Sequence, residues 1–333
     1  MHILHERIIE LKKGGKPVIG CFPLYPPLEL FHSMGITPVV LWGGVDFVRT
    51  TTGSDRHLQG YTCSVARRLT EFVLSECGAL LDGFFMYNAC DTLRNLPEIL
   101  ACGMGECGTE GRPILRMHVP VSSHSAGDVT GEFMKSEVGG LIGEVECSFG
   151  TSFSGERFKE SAALFREMRA RALRLETLVA RGLLSFGEYR HAAIAACMMT
   201  VEEQIDLFGS LIGNRDCAGS DPRRVPMPGV ILSGILPPPM AVVEIIEKSG
   251  LRVAGDDIAL MHRSYASISS LEDDPEEYYA DLYRHRFPCT TILPSADRRI
   301  GAVIQLARER GASGFIFVGE KFCEYEYFEI PAL

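Results

Sequence analysis

The chain reads as an α/β protein: two doubly wound parallel-sheet domains, related by an internal repeat, with a helical insert between them. Three observations predict this. Short buried strands alternate with helices at both ends of the 333-residue chain, the pattern of parallel sheets joined by right-handed crossovers. The middle, from about Val129 to Ile212, is dominated by helical periodicity. The second α/β stretch copies the first. Pro17-Val18-Ile19-Gly20, a Pro26-Pro27 loop, a helix stopped by Gly35 and the run from Ile36 to Val39 correspond to Pro228 through Gly234, Pro238-Pro239, a helix stopped by Gly250 and the run from Leu251 to Val253. The expected divisions are residues 1–128, 129–213 and 214–333.

The elements follow in order. Ile3, Leu4, Ile8, Ile9 and Leu11 mark one apolar face of a helix over 3–13, ended by Gly14-Gly15. Pro17 to Phe22 is a buried strand, Leu28 to Met34 a helix and Ile36 to Trp42 the next strand. Thr51 to Gly60 is a polar loop. Tyr61-Thr62-Cys63-Ser64 precedes a helix from Val65 to Ser75 that carries Arg67 and Arg68. Gly83 to Asn88 is a strand, followed by Cys90 and a helix that begins near Asp91. Gly105, Gly108 and Gly111 give 104–112 the look of a surface loop, and Ile114 to Val119 that of a strand.

The middle holds three helices, near 130–148, 155–182 and 186–212, with Arg169, Arg171 and Arg174 read as a solvated face. Asn214 to Pro228 is a linker by composition. Then come a strand at Gly229–Gly234, a helix at Met240–Lys248, a strand at Leu251–Gly255 and the pair Asp256-Asp257, read as following that strand. Helices near 274–286 and 297–310 precede a last buried strand that begins at Gly314.

Two stretches match in a further way. Leu81 to Cys90 and Gly314 to Cys323 each pass from a Gly-Phe pair through apolar residues and stop on a cysteine. In open α/β sheets, ligands bind outside the carboxyl ends of the strands, which is where Cys90 and Cys323 fall. Cys63 sits at a helix start, and its loose counterpart in the repeat is Cys289. Thiols gathered in a cleft suit soft ligation, by an iron–sulfur cluster or by zinc. Nearby helix N-termini would favour the thiolate form.

Composition bounds the rest. The chain is 46% hydrophobic and 23% charged, with a net charge of −10. That balance argues against a nucleic-acid or anionic-membrane partner, which needs clustered Lys and Arg. No apolar run approaches the roughly 20 residues of a membrane span, and the first residues lack the form of a signal peptide, so a cytoplasmic location is expected. Disulfides are not expected among the 11 cysteines in that compartment. Cys77, Cys102, Cys147 and Cys197 read as small buried hydrophobes. Other candidates are Glu29 at a helix start, His118 as an acid or base at a strand end, and Arg94 and Lys321 as charges that neutralise an anion.

The ordered set of motifs resembles a known family, the large components of 2-hydroxyacyl-CoA dehydratases and class I benzoyl-CoA reductases. The matching pieces are Gly20-x-Phe22-x-x-Tyr25-x-Pro27-x-Glu29, Tyr61-Thr62-Cys63-Ser64, Ala89-Cys90-Asp91-x-Leu93-Arg94, Val253-x-Gly255-Asp256-Asp257, Pro288-Cys289 and Lys321-Phe322-Cys323. The resemblance implies two flavodoxin-like domains and a [4Fe-4S] cluster held by Cys63, Cys90 and Cys323, with the fourth iron position open. It raises Glu29 to a candidate catalytic residue. It implies an acyl-CoA substrate, a homologous second subunit or a second copy of the chain, and a separate ATP-hydrolysing iron–sulfur activator. That activator would supply a low-potential electron for a ketyl radical, and so for dehydration or ring reduction.

A cluster-carrying electron-transfer or scaffold subunit is the alternative, ahead of a cluster-free descendant. A double-cubane cluster ranks behind the single cluster, because Pro23 stands where such relatives carry a further cysteine and Cys21 lies two residues earlier. The resemblance also implies another strand and helix after Lys-Phe-Cys, where ten residues follow Cys323 here.

Overall fold

The computed structural model describes residues 2–45, 47–106, 111–120, 128–216, 227–269, 273–292 and 296–332. Cys217, most of the expected linker at 214–228 and part of the expected loop at 104–112 lie outside the described residues. The chain is α/β, with two parallel sheets and many helices.

The order of elements is α1 (His2–Lys12), β1 (Val18–Cys21), α2 (Leu28–Ser33), β2 (Thr37–Val40), α3 (Trp42–Val45), α4 (Ser64–Val73), β3 (Gly83–Tyr87), α5 (Asp91–Glu106) and β4 (Ile114–Met117). Then come α6 (Asp128–Phe149), α7 (Gly155–Ala180), α8 (Phe186–Ala196), α9 (Val201–Asp216), β5 (Gly229–Gly234), α10 (Met240–Lys248), β6 (Arg252–Ile258) and α11 (His262–Tyr265). The last are α12 (Pro275–His285), α13 (Ala296–Glu309), β7 (Ala312–Val318) and α14 (Glu324–Glu329).

The chain divides into two compact units, neither of them one continuous stretch. The first holds Met1–Phe165, Ser269–His285 and Lys321–Cys323; the second holds Arg166–Ile268, Arg286–Glu320 and Glu324–Leu333.

In the first unit the strands run parallel in the order β2-β1-β3-β4, with Val18 opposite Thr37, Cys21 opposite Phe85 and Tyr87 opposite Met117. Every residue of β1 and β3 is buried, as strands covered on both faces require. That is why they read as continuous apolar runs rather than as alternation. Gly20 is needed at its place: a Cβ there would lie 2.8 Å from the Leu81 side chain and 2.9 Å from that of Leu41.

In the second unit the parallel order is β6-β5-β7. Ser233 lies opposite Asp257, and Gly234 opposite Val318. Gly35 and Gly250 end α2 and α10 with φ of 79° and 78°, the left-handed stop that glycine permits.

Several local expectations are corrected. Trp42 opens the short α3 instead of ending a strand. The strand expected over 251–255 runs on to Ile258, so Asp256 and Asp257 lie within β6 and are buried. The charge of Asp257 is met by Arg263 and Arg299, and Asp256 Oδ1 accepts the N–H groups of Ile258 and His262, so the strand does not stop at them. The helix expected over 186–212 is two helices, because Thr200 starts α9 with a capping box. Its backbone N–H donates to Glu203 Oε2 (2.8 Å), and Glu203 N–H donates to its hydroxyl (3.3 Å). α5 continues to Glu106, through the start of the expected loop. Cys77 and Cys197 are buried as expected, whereas Cys102 and Cys147 are exposed. Arg169 is buried, not solvated. No helix of the described residues is long and apolar enough to cross a membrane.

Candidate functional site

The site is built from helix starts. Cys63 has the extended backbone of an N-cap (φ −57°, ψ 149°), and its Sγ accepts the N–H of Ala66 at 3.5 Å. Cys90 stands directly before α5 in the same way, its Sγ accepting the N–H of Leu93 at 3.5 Å. Ser, Thr, Asp and Asn are the usual residues at this position. Twice in this unit a thiol stands where an oxygen is the usual cap. Both side chains are half-buried. Burial pushes the Cys90 thiol up, while the N–H groups of Leu93 and Thr92 act to lower it, as hydrogen bonds to the charged form do.

Cys323 is also half-buried and stands directly before α14. The segment that carries it belongs to the first compact unit together with Cys63 and Cys90. A backbone hydrogen bond ties it there: Ser64 N–H donates to the Lys321 carbonyl at 3.1 Å. The first turn of α4 is thus satisfied from two sides, by the Cys63 sulfur and by the residue two before Cys323. Between them Phe322 holds a left-handed φ of 65°, a conformation of the kind that concentrates at functional sites.

The donor set suits an iron–sulfur cluster in its chemistry: three half-buried thiols at helix starts in one compact unit, two of them already accepting N–H bonds. Their side chains are not drawn together into a ligand group, for among the described residues no three His, Cys, Asp or Glu side chains gather as a metal-binding set.

The remaining candidates lie as follows. Glu29, the second residue of α2, is fully buried. Its Oε1 accepts from the Tyr278 hydroxyl and its Oε2 from the Tyr279 hydroxyl, each at 3.0 Å. The Tyr279 hydroxyl also accepts the N–H of Leu30 at 3.1 Å. Sequence reading does not single out Tyr278 and Tyr279; the signal is an adjacent tyrosine pair inside an otherwise polar helix. Tyr279→Phe removes one donor from Glu29 and one acceptor from Leu30. It is expected to cost about 1–3 kcal/mol, read as a lower denaturant midpoint with an unchanged slope.

His118 is exposed, with its backbone N–H 2.6 Å and its Nδ1 3.2 Å from Glu137 Oε2. Arg94 lies on the surface, 3.8 Å from Asp91. The Lys321 ammonium sits 4.9 Å over the Phe322 ring. In the second unit, buried Cys289 accepts from Arg263 Nη1 at 3.4 Å. Cys21 is buried at the end of β1, and burial pushes its thiol well up.

Comparison with known proteins covers nearly the whole chain. The β subunit of (R)-phenyllactyl-CoA dehydratase from Clostridium sporogenes is 24% identical over 326 residues, spanning 97% of this chain and 83% of that one. One of the subunits of benzoyl-CoA reductase from Thauera aromatica is 24% identical, spanning 96% and 81%. The β subunit of (R)-2-hydroxyglutaryl-CoA dehydratase from Acidaminococcus fermentans is 25% identical, spanning 98% and 85%. The family model described as 2-hydroxyglutaryl-CoA dehydratase, D-component, matches residues 23–333, from just after β1 through Cys323 and α14, and the chain belongs to that family.

Proposed function

We propose that this chain is one subunit of a 2-hydroxyacyl-CoA dehydratase-type enzyme, in which Cys63, Cys90 and Cys323 hold a [4Fe-4S] cluster. That it is an enzyme component, of lyase or reductase type, follows from its family and from relatives named as dehydratases and a reductase. The cluster assignment rests chiefly on one observation: Cys63 and Cys90 cap helices through N–H···S bonds, and the Cys323 segment is tied to the same helix start as Cys63. When bound, such a cluster supplies a low-potential electron and, at an iron with no protein ligand, a Lewis acid.

The chain's own part is to hold three thiolates, which must lose their protons to ligate. N–H donors and helix N-termini favour the resulting negative charge. Glu29 enters this reading as a carboxylate fixed by Tyr278 and Tyr279, in a positioning role. The fold proposed with this function is two flavodoxin-like domains from an internal repeat, around a helical insert. The shared order β2-β1-β3 and β6-β5-β7 supports it. The partners proposed are an acyl-CoA substrate, a related second subunit or a second copy, and an ATP-hydrolysing activator. A reductase of the benzoyl-CoA type is the second reading, supported by 24% identity to a benzoyl-CoA reductase subunit, beside 24% and 25% to the two dehydratase subunits.

The test is purification without oxygen, followed by iron, sulfide and visible absorption. About four irons per chain are expected. Replacing Cys63, Cys90 or Cys323 singly by Ala should abolish stable iron binding. Full iron in all three variants would overturn the ligand assignment.

A further inference from the structure

A second feature of the first unit bears on what the chain binds. Beside the start of α4 lies a pocket of about 230 Å³, lined by Arg49, Thr50, Thr51, Ser64, Arg67 and Arg68. Three guanidinium groups thus meet at one recess in a chain whose net charge is −10.

One of the three is already committed. Arg67 donates through Nε (2.8 Å) and Nη2 (2.5 Å) to Asp55 Oδ1, and through Nη2 (3.1 Å) to the Thr51 hydroxyl. Asp55 is held below its usual carboxylate range chiefly by the bond from Arg67. The other two are exposed, and no carboxylate among the described residues pairs with Arg49 or Arg68. Among the described residues the recess thus carries two guanidinium groups with no carboxylate partner, and Thr50, Thr51 and Ser64 also line it.

Planar guanidinium forks with neighbouring hydroxyls match the oxygens of a phosphate group, which accept two parallel bonds from each fork. The size of the recess narrows the ligand. Pockets that enclose a whole drug-sized molecule run to roughly 300–1,000 Å³. One of about 230 Å³ takes a fragment, the anionic end of something longer. Ser64, which lines it, directly follows Cys63.

We propose that this pocket binds the phosphate-bearing end of the coenzyme A moiety of the substrate. The recognised chemistry is a phosphate or diphosphate, and its identification with coenzyme A rests on the proposed function.

The test titrates the full chain, purified without oxygen, with coenzyme A, 3′-dephospho-coenzyme A, pantetheine and inorganic pyrophosphate by calorimetry. Coenzyme A is expected to bind, with affinity falling as salt rises. Pantetheine, which lacks these phosphates, is expected to bind far more weakly. Arg49→Ala and Arg68→Ala should each weaken coenzyme A binding at least about tenfold. Arg49→Lys keeps the charge without the fork and should recover part of that loss. Both residues are exposed, so the variants should fold and keep their iron content.

Coenzyme A bound equally well by the Arg49→Ala/Arg68→Ala double variant would overturn the site, as would no binding to the unaltered chain. Pyrophosphate that binds in an arginine-dependent way while coenzyme A does not would overturn the coenzyme A assignment. Iron kept while arginine-dependent binding fails removes this pocket and leaves the cluster reading standing. Arginine-dependent binding without iron removes the cluster reading and leaves the pocket.

Discussion

Replacing Asp257 by Ala is expected to lower the stability of the second unit by about 3–5 kcal/mol, the cost of leaving buried charges without their partner. Asp257 is fully buried in β6, between two arginines that are each 1% exposed. Its Oδ1 accepts from Arg263 Nε (2.9 Å) and Arg299 Nη1 (2.8 Å). Its Oδ2 accepts from Arg263 Nη2 (3.3 Å), from the Ser233 hydroxyl (3.0 Å) and from Arg299 Nη2. Burial alone would raise its pKa, but the two guanidiniums overcome that and hold it down at about 2. Glu329 also pairs with Arg299, so Arg263 is the charge left most exposed to the loss. Denaturant unfolding of Asp257→Ala and Asp257→Asn measures the effect. A loss under about 1 kcal/mol in both, the range of surface pairs, would show that the arginines find other partners.

The second expected effect is a fall in stability as pH rises through neutrality. Asp256, beside Asp257, is 2% exposed, and burial raises its pKa to about 7, helped by the nearby charge of Glu176. Between its unfolded value near 4 and about 7, the folded state keeps a proton that the unfolded state has lost. Stability therefore drops with rising pH across that window, by up to about 4 kcal/mol at 1.4 kcal/mol per unit.

Two other buried groups of the second unit act with the same sign. Burial lowers the His262 pKa, but Glu176, 2.8 Å from its Nδ1, more than reverses this and raises it. That contribution is full below the unfolded value near 6.5 and is lost above the folded one. Burial raises Glu326 to about 7. Arg310, at 2.8 Å, and the Tyr189 hydroxyl, at 3.0 Å, keep Glu176 satisfied throughout. Asp257 opposes them only in acid, its contribution being lost below about pH 4. Melting temperatures at pH 5.5, 7 and 8.5 should fall in that order, and Asp256→Asn should flatten the slope. A rise from pH 5.5 to 8.5 would contradict the assignment.

These two residues also mark where sequence reading stopped. Strands β1, β3 and β5 were legible because they are apolar on both faces, and the helix stops at Gly35 and Gly250 because only a left-handed residue ends them so. Asp256 and Asp257 hid the end of β6, for charged residues disfavour strands. The arginines that make Asp257 tolerable sit 6 and 42 residues further along, while burial raises the pKa of Asp256.

The partners of Glu29 are 249 and 250 residues away, beyond any periodicity. The Thr200 capping box was legible, but the helical character on both sides masked it. Cys63 and Cys90 stand at helix starts as expected, since the polar-to-apolar switch after each is local. That Lys321 reaches back to Ser64 is a tertiary fact with no local signal. The pocket around Arg49 and Arg68 depends likewise on a loop meeting a helix.

The bond between Ser64 N–H and the Lys321 carbonyl has one more consequence. It is a cross-link between distant points of the chain, so the entropy of bringing them together is met on folding. On the proposed cluster reading, a group that bridged Cys63 and Cys323 would close a small ring on that frame, its second bond favoured by high effective concentration, and a released sulfur would stay placed to rebind.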